Sequence, residues 1–147
     1  MCSRLVSAWP SFVAMSGDLW FLDASAFLKL LLAEPESEEL ERWTLGRRLA
    51  SSDLLRAEAR RGVAHMEASV LRSCDALLAV IHKVRLTPAL LDRAGRLPGH
   101  GLRTLDAIYV ASALQLGDEL ADFVSYDRRQ LAAAERLGLR TLSPGSS

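Results

Sequence analysis

Cysteine is almost absent from this chain, and its scarcity excludes two classes of small protein. The 147 residues contain two cysteines, Cys2 and Cys74, which lie far apart in sequence. They cannot form a framework of several disulfides, and no CxxC or Cys/His spacing of the kind that binds zinc accompanies them. We therefore expect the protein to work in a reducing cytoplasm.

A long apolar run is also missing. No apolar stretch reaches the roughly 18 to 20 residues that a membrane-spanning helix needs, so we expect no membrane span. Residues 1–18 faintly resemble a signal peptide because Arg4 precedes an apolar run, but Pro10 interrupts that run and no clear cleavage site follows. We expect a loosely ordered extension here, with translation starting at Met1 or at Met15.

An excess of one charge is the third absence. The formal net charge is +0, so the overall charge argues neither for nor against a nucleic-acid partner. The type of base is more informative, because Lys29 and Lys83 are the lysines of the chain and the other strongly basic side chains are arginines. Arginine makes bidentate contacts with phosphate, but a run of charge is equally typical of a solvated helix face. The arginines concerned are Arg56, Arg60, Arg61, Arg72 and Arg103.

Short apolar runs alternate with amphipathic stretches along the chain. This alternation predicts an α/β protein, a three-layer α/β/α sandwich with a central parallel sheet. We predict strands over 19–23, 48–51, 84–86, 123–125 and 140–142. We predict helices over 24–33, 37–46, 53–66, 67–81, 88–95, 105–116 and 128–137. The length suits one domain, over 19–142, followed by a disordered tail over 143–147.

Capping signals fix where three of these helices are expected to begin. Asp53 is a plausible N-cap of the helix that carries Glu58, and Thr104 of the helix that carries Asp106. Thr87 precedes a proline, and this pair is typical of a helix start.

Four acidic residues fall where this architecture creates a site. Ligands of open parallel sheets bind beyond the carboxyl ends of the strands, near the point where strand order reverses. Asp23 ends the first strand, and Asp127 follows the strand over 123–125, so both belong to that edge. Asp106, in the first turn of its helix, can project toward the same edge. Glu58 reaches it only if its helix lies along the edge.

Carboxylates that share a site repel one another unless a proton or a cation joins them. Oxygen ligands suit Mg²⁺ or Mn²⁺, which would activate water and stabilise charge on a phosphate. The sequence therefore predicts a metal-dependent enzyme acting on phosphate esters, and leaves one or two ions open. Ser25, Thr104 and Ser125 could support the site by hydrogen bonds, although capping and strand-end roles explain the last two equally well.

Other polar residues give weaker signals. Arg61 stands three residues after Glu58, so an ordinary helix ion pair is the competing interpretation of Glu58. Asp127 is equally explained as a helix N-cap. His65 and His82 fall in predicted helical segments and are not expected to act as bases, whereas His100 lies in a glycine-rich loop that could approach a substrate.

Four segments in order resemble the PIN-domain ribonucleases, and more narrowly the VapC-type toxins of bacterial toxin–antitoxin pairs. They are DASAFLKLLLAEPES, LLRAEARRG, GLRTLDAIYVASALQLG and FVSYDRRQLAAAERLGL. The resemblance covers about Leu19 to Leu142, and the chain departs from the pattern in the stretch before Leu19.

The resemblance implies an Mg²⁺- or Mn²⁺-dependent endoribonuclease that acts on RNA. It implies that Asp23, Glu58 and Asp106 hold the metal, with Asp127 further away. It also implies a homodimer, and inhibition by a small antitoxin protein whose C-terminal segment lies over the active site.

Two other enzyme classes fit the sequence less well. A haloacid-dehalogenase-type phosphatase needs a second Asp where this chain has Ser25, and a receiver domain needs adjacent acids after its first strand. A non-catalytic PIN-like module that binds RNA or a protein is the alternative function. Retention of the four acids argues against it.

Overall fold

The computed structural model describes residues 17–147, so the predicted extension falls outside the described residues except for its last two. The strands of this part are β1 (Leu19–Leu22), β2 (Arg48–Ser52), β3 (His82–Val84), β4 (Leu120–Val124) and β5 (Thr141–Leu142). The helices are α1 (Ala24–Lys29), α2 (Ser37–Thr44), α3 (Leu55–Gly62), α4 (Ala68–Val80), α5 (Pro88–Gly95), α6 (Thr104–Gln115) and α7 (Arg128–Arg136). A short 3₁₀ turn over Gly117–Glu119 precedes β4.

The five strands form one parallel sheet in the order β3-β2-β1-β4-β5. The predicted parallel sheet is therefore confirmed. The chain first builds outward from β1 through β2 to β3, and then crosses to the opposite side of β1 to form β4 and β5. Strand order thus reverses between β1 and β4, where ligands of such sheets bind. The register pairs Leu22 with Val124, so both strands end at the same level.

Alternation along β1 shows how helices cover both faces of the sheet, because successive side chains of a strand point to opposite faces. Phe21 packs edge-to-face on Tyr109 of α6, with ring centroids 6.5 Å apart. Its neighbour Trp20 packs edge-to-face on Trp43 of α2, with centroids 6.2 Å apart. Helices α6 and α2 therefore lie on opposite faces, which confirms the three-layer sandwich.

Several predicted boundaries were wrong, among them those of β3, α3 and α1. Strand β3 begins at His82, so this residue lies in a strand and not in a helix. Helix α3 begins at Leu55, and the Asp53 carboxylate accepts a hydrogen bond from Arg56 Nε at 2.7 Å instead of capping the helix. Helix α1 ends at Lys29, short of the predicted end at 33.

The predicted caps of two later helices had different outcomes. Thr87 caps α5 as predicted, since its hydroxyl accepts a hydrogen bond from the Leu90 N–H at 3.1 Å. Thr104 is the first residue of α6 and not its cap. Arg103 occupies the N-cap position, and its side chain makes no capping hydrogen bond.

None of the helices described over residues 17–147 has the length and apolar character needed to cross a bilayer. The division into an extension, a nuclease domain and a tail stays a prediction. The tail makes contacts of its own: Ser143 Oγ donates to the Ser125 carbonyl at 2.7 Å, and Tyr126 Oη donates to the Pro144 carbonyl at 2.6 Å.

Candidate active site: a carboxylate cavity

One cavity of about 340 Å³ is lined by Asp23, Glu58, Asp106 and Asp127, all four of the predicted acids. It opens at the carboxyl ends of β1 and β4, between which the strand order reverses. Asp23 directly follows β1, and Asp127 follows β4 by three residues. Helices α3 and α6 supply the other two acids. Four segments that are distant in sequence therefore meet at the edge predicted for a ligand.

Asp23 is the most enclosed of the four, with 2% of its surface exposed. It is the N-cap of α1, and its Oδ1 accepts hydrogen bonds from the Ala26 N–H at 2.9 Å and the Ser25 hydroxyl at 2.6 Å. Its Oδ2 accepts from the Ser125 hydroxyl at 2.5 Å. Both serines therefore orient the carboxylate, and its capping bond to Ala26 fixes it at the N-terminus of α1.

Burial raises the pKa of the Asp23 carboxyl from 3.8 to about 6. The Ser125 and Ser25 hydroxyls and the Ala26 N–H oppose this shift, while the nearby charge of Asp127 adds to it. The desolvation cost therefore exceeds the help from three hydrogen bonds. An opposite charge in the cavity would offset that cost.

Asp106 lies in the first turn of α6 with an oxygen that lacks a hydrogen-bond partner. Its Oδ2 is buried and makes no hydrogen bond with the residues described. Arg103 Nε stands 3.6 Å away, close enough for attraction but beyond a hydrogen bond. Burial, followed by the charge of Asp127, raises the Asp106 pKa, while Arg103 and Arg129 oppose the rise.

Asp127 both caps a helix and faces the cavity. Its Oδ1 accepts hydrogen bonds from the backbone N–H groups of Arg129, at 2.9 Å, and Gln130, at 3.3 Å. The capping interpretation is therefore confirmed. Because both bonds use the same oxygen, Oδ2 is left for the cavity. The charge of Asp127 raises the pKa values of both Asp23 and Asp106, which places the three acids within electrostatic reach of one another.

Glu58 reaches the cavity because α3 packs tightly on α1. A Cβ at Gly62 would lie 3.0 Å from the side chain of Leu28, so glycine lets the two segments approach closely. The carboxylate Oε2 accepts a hydrogen bond from the Tyr109 hydroxyl at 2.5 Å. In the described residues Tyr109 is thus the side chain that fixes Glu58, and the ion pair with Arg61 is not formed.

Four lining residues were not predicted as part of the site: Ala24, Leu105, Tyr109 and Gln130. Tyr109 stands in the apolar run DAIYVASAL, where an aromatic side chain is typical of core. Gln130 has 2% of its surface exposed, and its Nε2 has no hydrogen-bond partner in the described chain. A three-residue spacing from Asp106 to Tyr109 and from Asp127 to Gln130 is the signal that would have found two of them.

The remaining predicted residues are divided between the cavity and the surface. Ser25 and Thr104 line the cavity, and Ser125 contacts it through Asp23. Arg103 lines its rim, whereas Arg61 is exposed and does not line it. His100 lies in a neighbouring basic cleft.

A basic cleft of about 540 Å³ lies beside the carboxylate cavity, between the loop before α6 and the outer face of α7. Arg128, Arg129, Arg136 and His100 line it, and none of its lining residues in the described chain is acidic. Two of these arginines occupy the first turn of α7, where positive charge is unfavourable with the helix dipole. The cleft therefore places positively charged arginine side chains next to the acidic cavity.

The donor set suits a hard divalent cation that keeps part of its water. Over residues 17–147, no three His, Cys, Asp or Glu side chains stand together closely enough to hold an ion directly. Mg²⁺ commonly binds through one or two carboxylates and retains several waters, so such a cluster is not required. The cavity supplies four carboxylates, an Asp106 oxygen without a hydrogen bond and a desolvated Asp23. These residues fit Mg²⁺ or Mn²⁺.

Replacing Tyr109 by Phe should separate positioning of Glu58 from metal binding by the aspartates. The Glu58 carboxylate loses its hydroxyl partner, so we expect metal-dependent activity to fall about tenfold. The free energy of unfolding should fall by about 1–2 kcal/mol, as for a lost hydrogen bond to a charged group. Activity assays and urea denaturation measure the two effects. Unchanged activity would contradict a positioning role for Tyr109.

Residues 20–136 of this chain match the family model of the PIN domain. The chain belongs to the PIN-domain family.

Within that family its relatives include VapC proteins of Mycobacterium tuberculosis. It is 39% identical to Ribonuclease VapC46 of strain ATCC 25618 / H37Rv over 125 residues, 84% of this chain and 96% of the relative. It is 36% identical to Ribonuclease VapC47 of strain CDC 1551 / Oshkosh over 132 residues, 86% and 97% of the two chains. Ribonuclease VapC35 of the same strain is 32% identical over 132 residues, 86% of this chain and 98% of the relative. The chain is a VapC-type PIN protein.

Proposed function

We propose that this protein is an endoribonuclease toxin of a toxin–antitoxin pair, dependent on Mg²⁺ or Mn²⁺. The observation that carries the proposal is that four acids converge on one cavity, at the point where strand order reverses between β1 and β4. The acids are Asp23, Glu58, Asp106 and Asp127. Membership of the PIN family and the ribonuclease names of its relatives support it.

We assign the cation to Asp23, Asp106 and Glu58, with Asp127 further out. When bound, Mg²⁺ or Mn²⁺ supplies positive charge for the phosphate and lowers the pKa of a water molecule. Ser25 and Ser125 keep both Asp23 oxygens oriented, and Tyr109 does the same for Glu58. The buried Asp106 oxygen that has no hydrogen-bond partner would be among the atoms that hold the cation.

The proposed reaction is hydrolysis of an RNA phosphodiester bond. Water adds to phosphorus, the bond from phosphorus to the 3′ oxygen breaks, and that oxygen takes a proton, leaving a 3′ hydroxyl and a 5′ phosphate. The guanidinium of Arg103, at the cavity rim, is 65% exposed and able to meet a phosphate oxygen. The carboxylates hold the cation and the arginine orients the substrate.

The proposal includes an antitoxin partner, a homodimer and action in the cytoplasm. The partner would be a small protein that neutralises the toxin by covering the cavity. A non-catalytic binding module is the competing function, and no feature of the described cavity favours it.

Induced expression in a bacterial host tests the toxin proposal. We expect growth arrest with the wild-type chain, relief by the small protein encoded beside it, and normal growth with Asp106→Asn at equal protein level. Arrest by Asp106→Asn as strong as that of the wild type would favour the binding module. Normal growth with the wild type would contradict the toxin assignment.

The basic cleft beside the cavity should bind the RNA backbone. Replacing Arg128 and Arg136 by Gln removes two charges that do not line the carboxylate cavity, so we expect KM for a long RNA to rise and kcat to stay constant. The slope of log KM against log salt should flatten by about one to two units, since roughly 0.7 counterion is released per neutralised phosphate. The matched control removes Arg72 and Arg93, exposed on α4 and α5, and should leave both slope and KM unchanged. Equal effects of the two pairs would contradict a role for the cleft.

A further inference from the structure

The turn between β4 and α7 (residues 125–127, the β4–α7 turn) carries two groups of the site. Ser125 Oγ donates to Asp23 Oδ2 and accepts from the Asp127 N–H at 3.0 Å. The Tyr126 N–H donates to Ser25 Oγ at 3.0 Å. The position of this turn therefore determines the orientation of Asp23 and the place of Asp127.

Residues 143–145, which we call the C-terminal strap, hold the turn from behind. Ser143 Oγ donates to the Ser125 carbonyl at 2.7 Å, and Tyr126 Oη donates to the Pro144 carbonyl at 2.6 Å. The Ser125 N–H donates to the Leu142 carbonyl at 3.2 Å, just before the strap begins. Two consecutive residues of the turn are thus bonded to two consecutive residues of the strap.

The other side of Tyr126 is also fixed. Lys29 Nζ stands 4.6 Å from the centre of the Tyr126 ring and donates to Glu34 and Glu36 at 2.8 and 2.7 Å. Lys29 has 6% of its surface exposed, so this cation is held in place. The Tyr126 ring therefore contacts a fixed cation while its hydroxyl reaches the strap.

The strap itself is seated on helix α2. Gly145 adopts a φ of +84°, which side chains rarely allow, and a Cβ there would lie 2.8 Å from Glu39 Cβ and 3.3 Å from Glu36 Cβ. Only glycine lets the chain pass this close to the helix. The strap is thus anchored on α2 at one end and on the turn at the other.

From these contacts we propose that the C-terminal strap is a positioning element of the active site, acting on Asp23 and Asp127 through the β4–α7 turn. Ser143 and Tyr126 are its positioning residues. The importance of this positioning for RNA cleavage rests on the proposed function, whereas its effect on the turn does not. The strap lies outside the segment matched by the family model, which ends at residue 136.

The double variant Ser143→Ala and Tyr126→Phe removes both hydroxyl donors and keeps the aromatic ring beside Lys29. We expect the Asp127 N–H of the metal-free protein to exchange with solvent about tenfold faster, as two lost hydrogen bonds allow, while amides of α6 keep their protection. Mn²⁺ affinity, measured by calorimetry, should fall about tenfold as well. RNA cleavage should lose kcat with little change in KM.

Thr141→Ala is the matched control, because its hydroxyl donates to Glu135 on α7 and not to the turn. It should leave Asp127 exchange and Mn²⁺ affinity unchanged. Gly145→Ala, which unseats the strap from α2, should reproduce the double variant. The proposal is overturned if exchange at Asp127 and Mn²⁺ affinity stay at wild-type values, or if exchange rises equally throughout the protein. Failure of the wild type to cut RNA would reject the proposed function. The hydrogen exchange of Asp127 would still test whether the strap positions the β4–α7 turn.

Discussion

Asp23→Asn should abolish metal-dependent cleavage and, at the same time, make the metal-free protein more stable at neutral pH. The wild-type carboxyl is buried with a pKa of about 6, whereas an Asp in the unfolded chain titrates near 3.8. The native protein therefore holds a proton more tightly than the unfolded chain. The stability that Asp23 contributes is fully present below pH 3.8 and is lost as pH rises through about 6.

The amide of the Asp23→Asn variant carries no charge, so the variant does not lose stability as the pH rises. Its oxygen can still accept hydrogen bonds from the Ala26 N–H and the Ser25 hydroxyl. We expect the free energy of unfolding of the metal-free variant to exceed that of the wild type by about 1–2 kcal/mol at pH 7.5 and to match it near pH 4. Saturating Mn²⁺ should reverse the order, raising the unfolding temperature of the wild type by a few degrees and leaving the variant unmoved. Thermal denaturation at the two pH values measures this. A variant less stable than the wild type at pH 7.5 would contradict the buried-charge argument.

Asp106→Asn should reduce metal-dependent cleavage by about 100-fold or more. This loss is larger than expected from replacing a residue that only orients a metal ligand. The oxygen that the structure leaves buried without a hydrogen bond is the one best placed to meet a cation. The fold should be kept, because no helix cap or hydrogen bond within residues 17–147 depends on that oxygen. Initial rates on labelled RNA over a range of Mn²⁺ concentrations measure the effect.

Asp122→Asn is the control for Asp106, since each residue has one buried carboxylate oxygen without a hydrogen bond. Asp122 lies in β4 beside Arg140 and does not line the cavity. Its replacement should alter stability and leave the cleavage rate intact. Equal losses of activity in the two variants would mean that Asp106 acts only through the fold.

The sheet and the places of Asp23 and Asp106 at its edge could be predicted from sequence because their signals are local. Asp23 ends a short apolar run and Asp106 falls in the first turn of an apolar helix, so each residue's own neighbours place it. The order of the elements was confirmed for the same reason. The prediction that Glu58 reaches the site depends on the position of α3. That position involves the close approach of Gly62 to Leu28, a contact between distant segments.

Other features depend on which side chains share one face of a helix, which the immediate neighbours of a residue do not show. Tyr109 sits in an apolar run, and only the turn of α6 shows that its hydroxyl reaches Glu58 while its ring packs on Phe21. Thr104 was assigned as a cap because threonine favours that position, yet α6 starts one residue earlier than that assignment required.

The start of β3 was misplaced by two residues, because its first two side chains are polar. The stretch HKVRL becomes apolar only at Val84, so hydrophobicity alone favoured a strand over 84–86. Backbone pairing decides otherwise, since His82 and Lys83 pair with Ala50 and Ser51 of β2. Pairing of this kind is a contact between distant segments and leaves no local signal.

Cleavage of RNA by the purified full chain tests the central claim most directly. Labelled RNA is incubated with the wild type and with Asp23→Asn, in the presence of Mn²⁺ and in the presence of a chelator, and the new ends are identified. We expect the wild type with Mn²⁺ to release fragments that carry 5′ phosphates and 3′ hydroxyls, and expect no fragments in the other three reactions. No cleavage by the wild type with Mn²⁺, or equal cleavage with the chelator or by Asp23→Asn, would contradict the account.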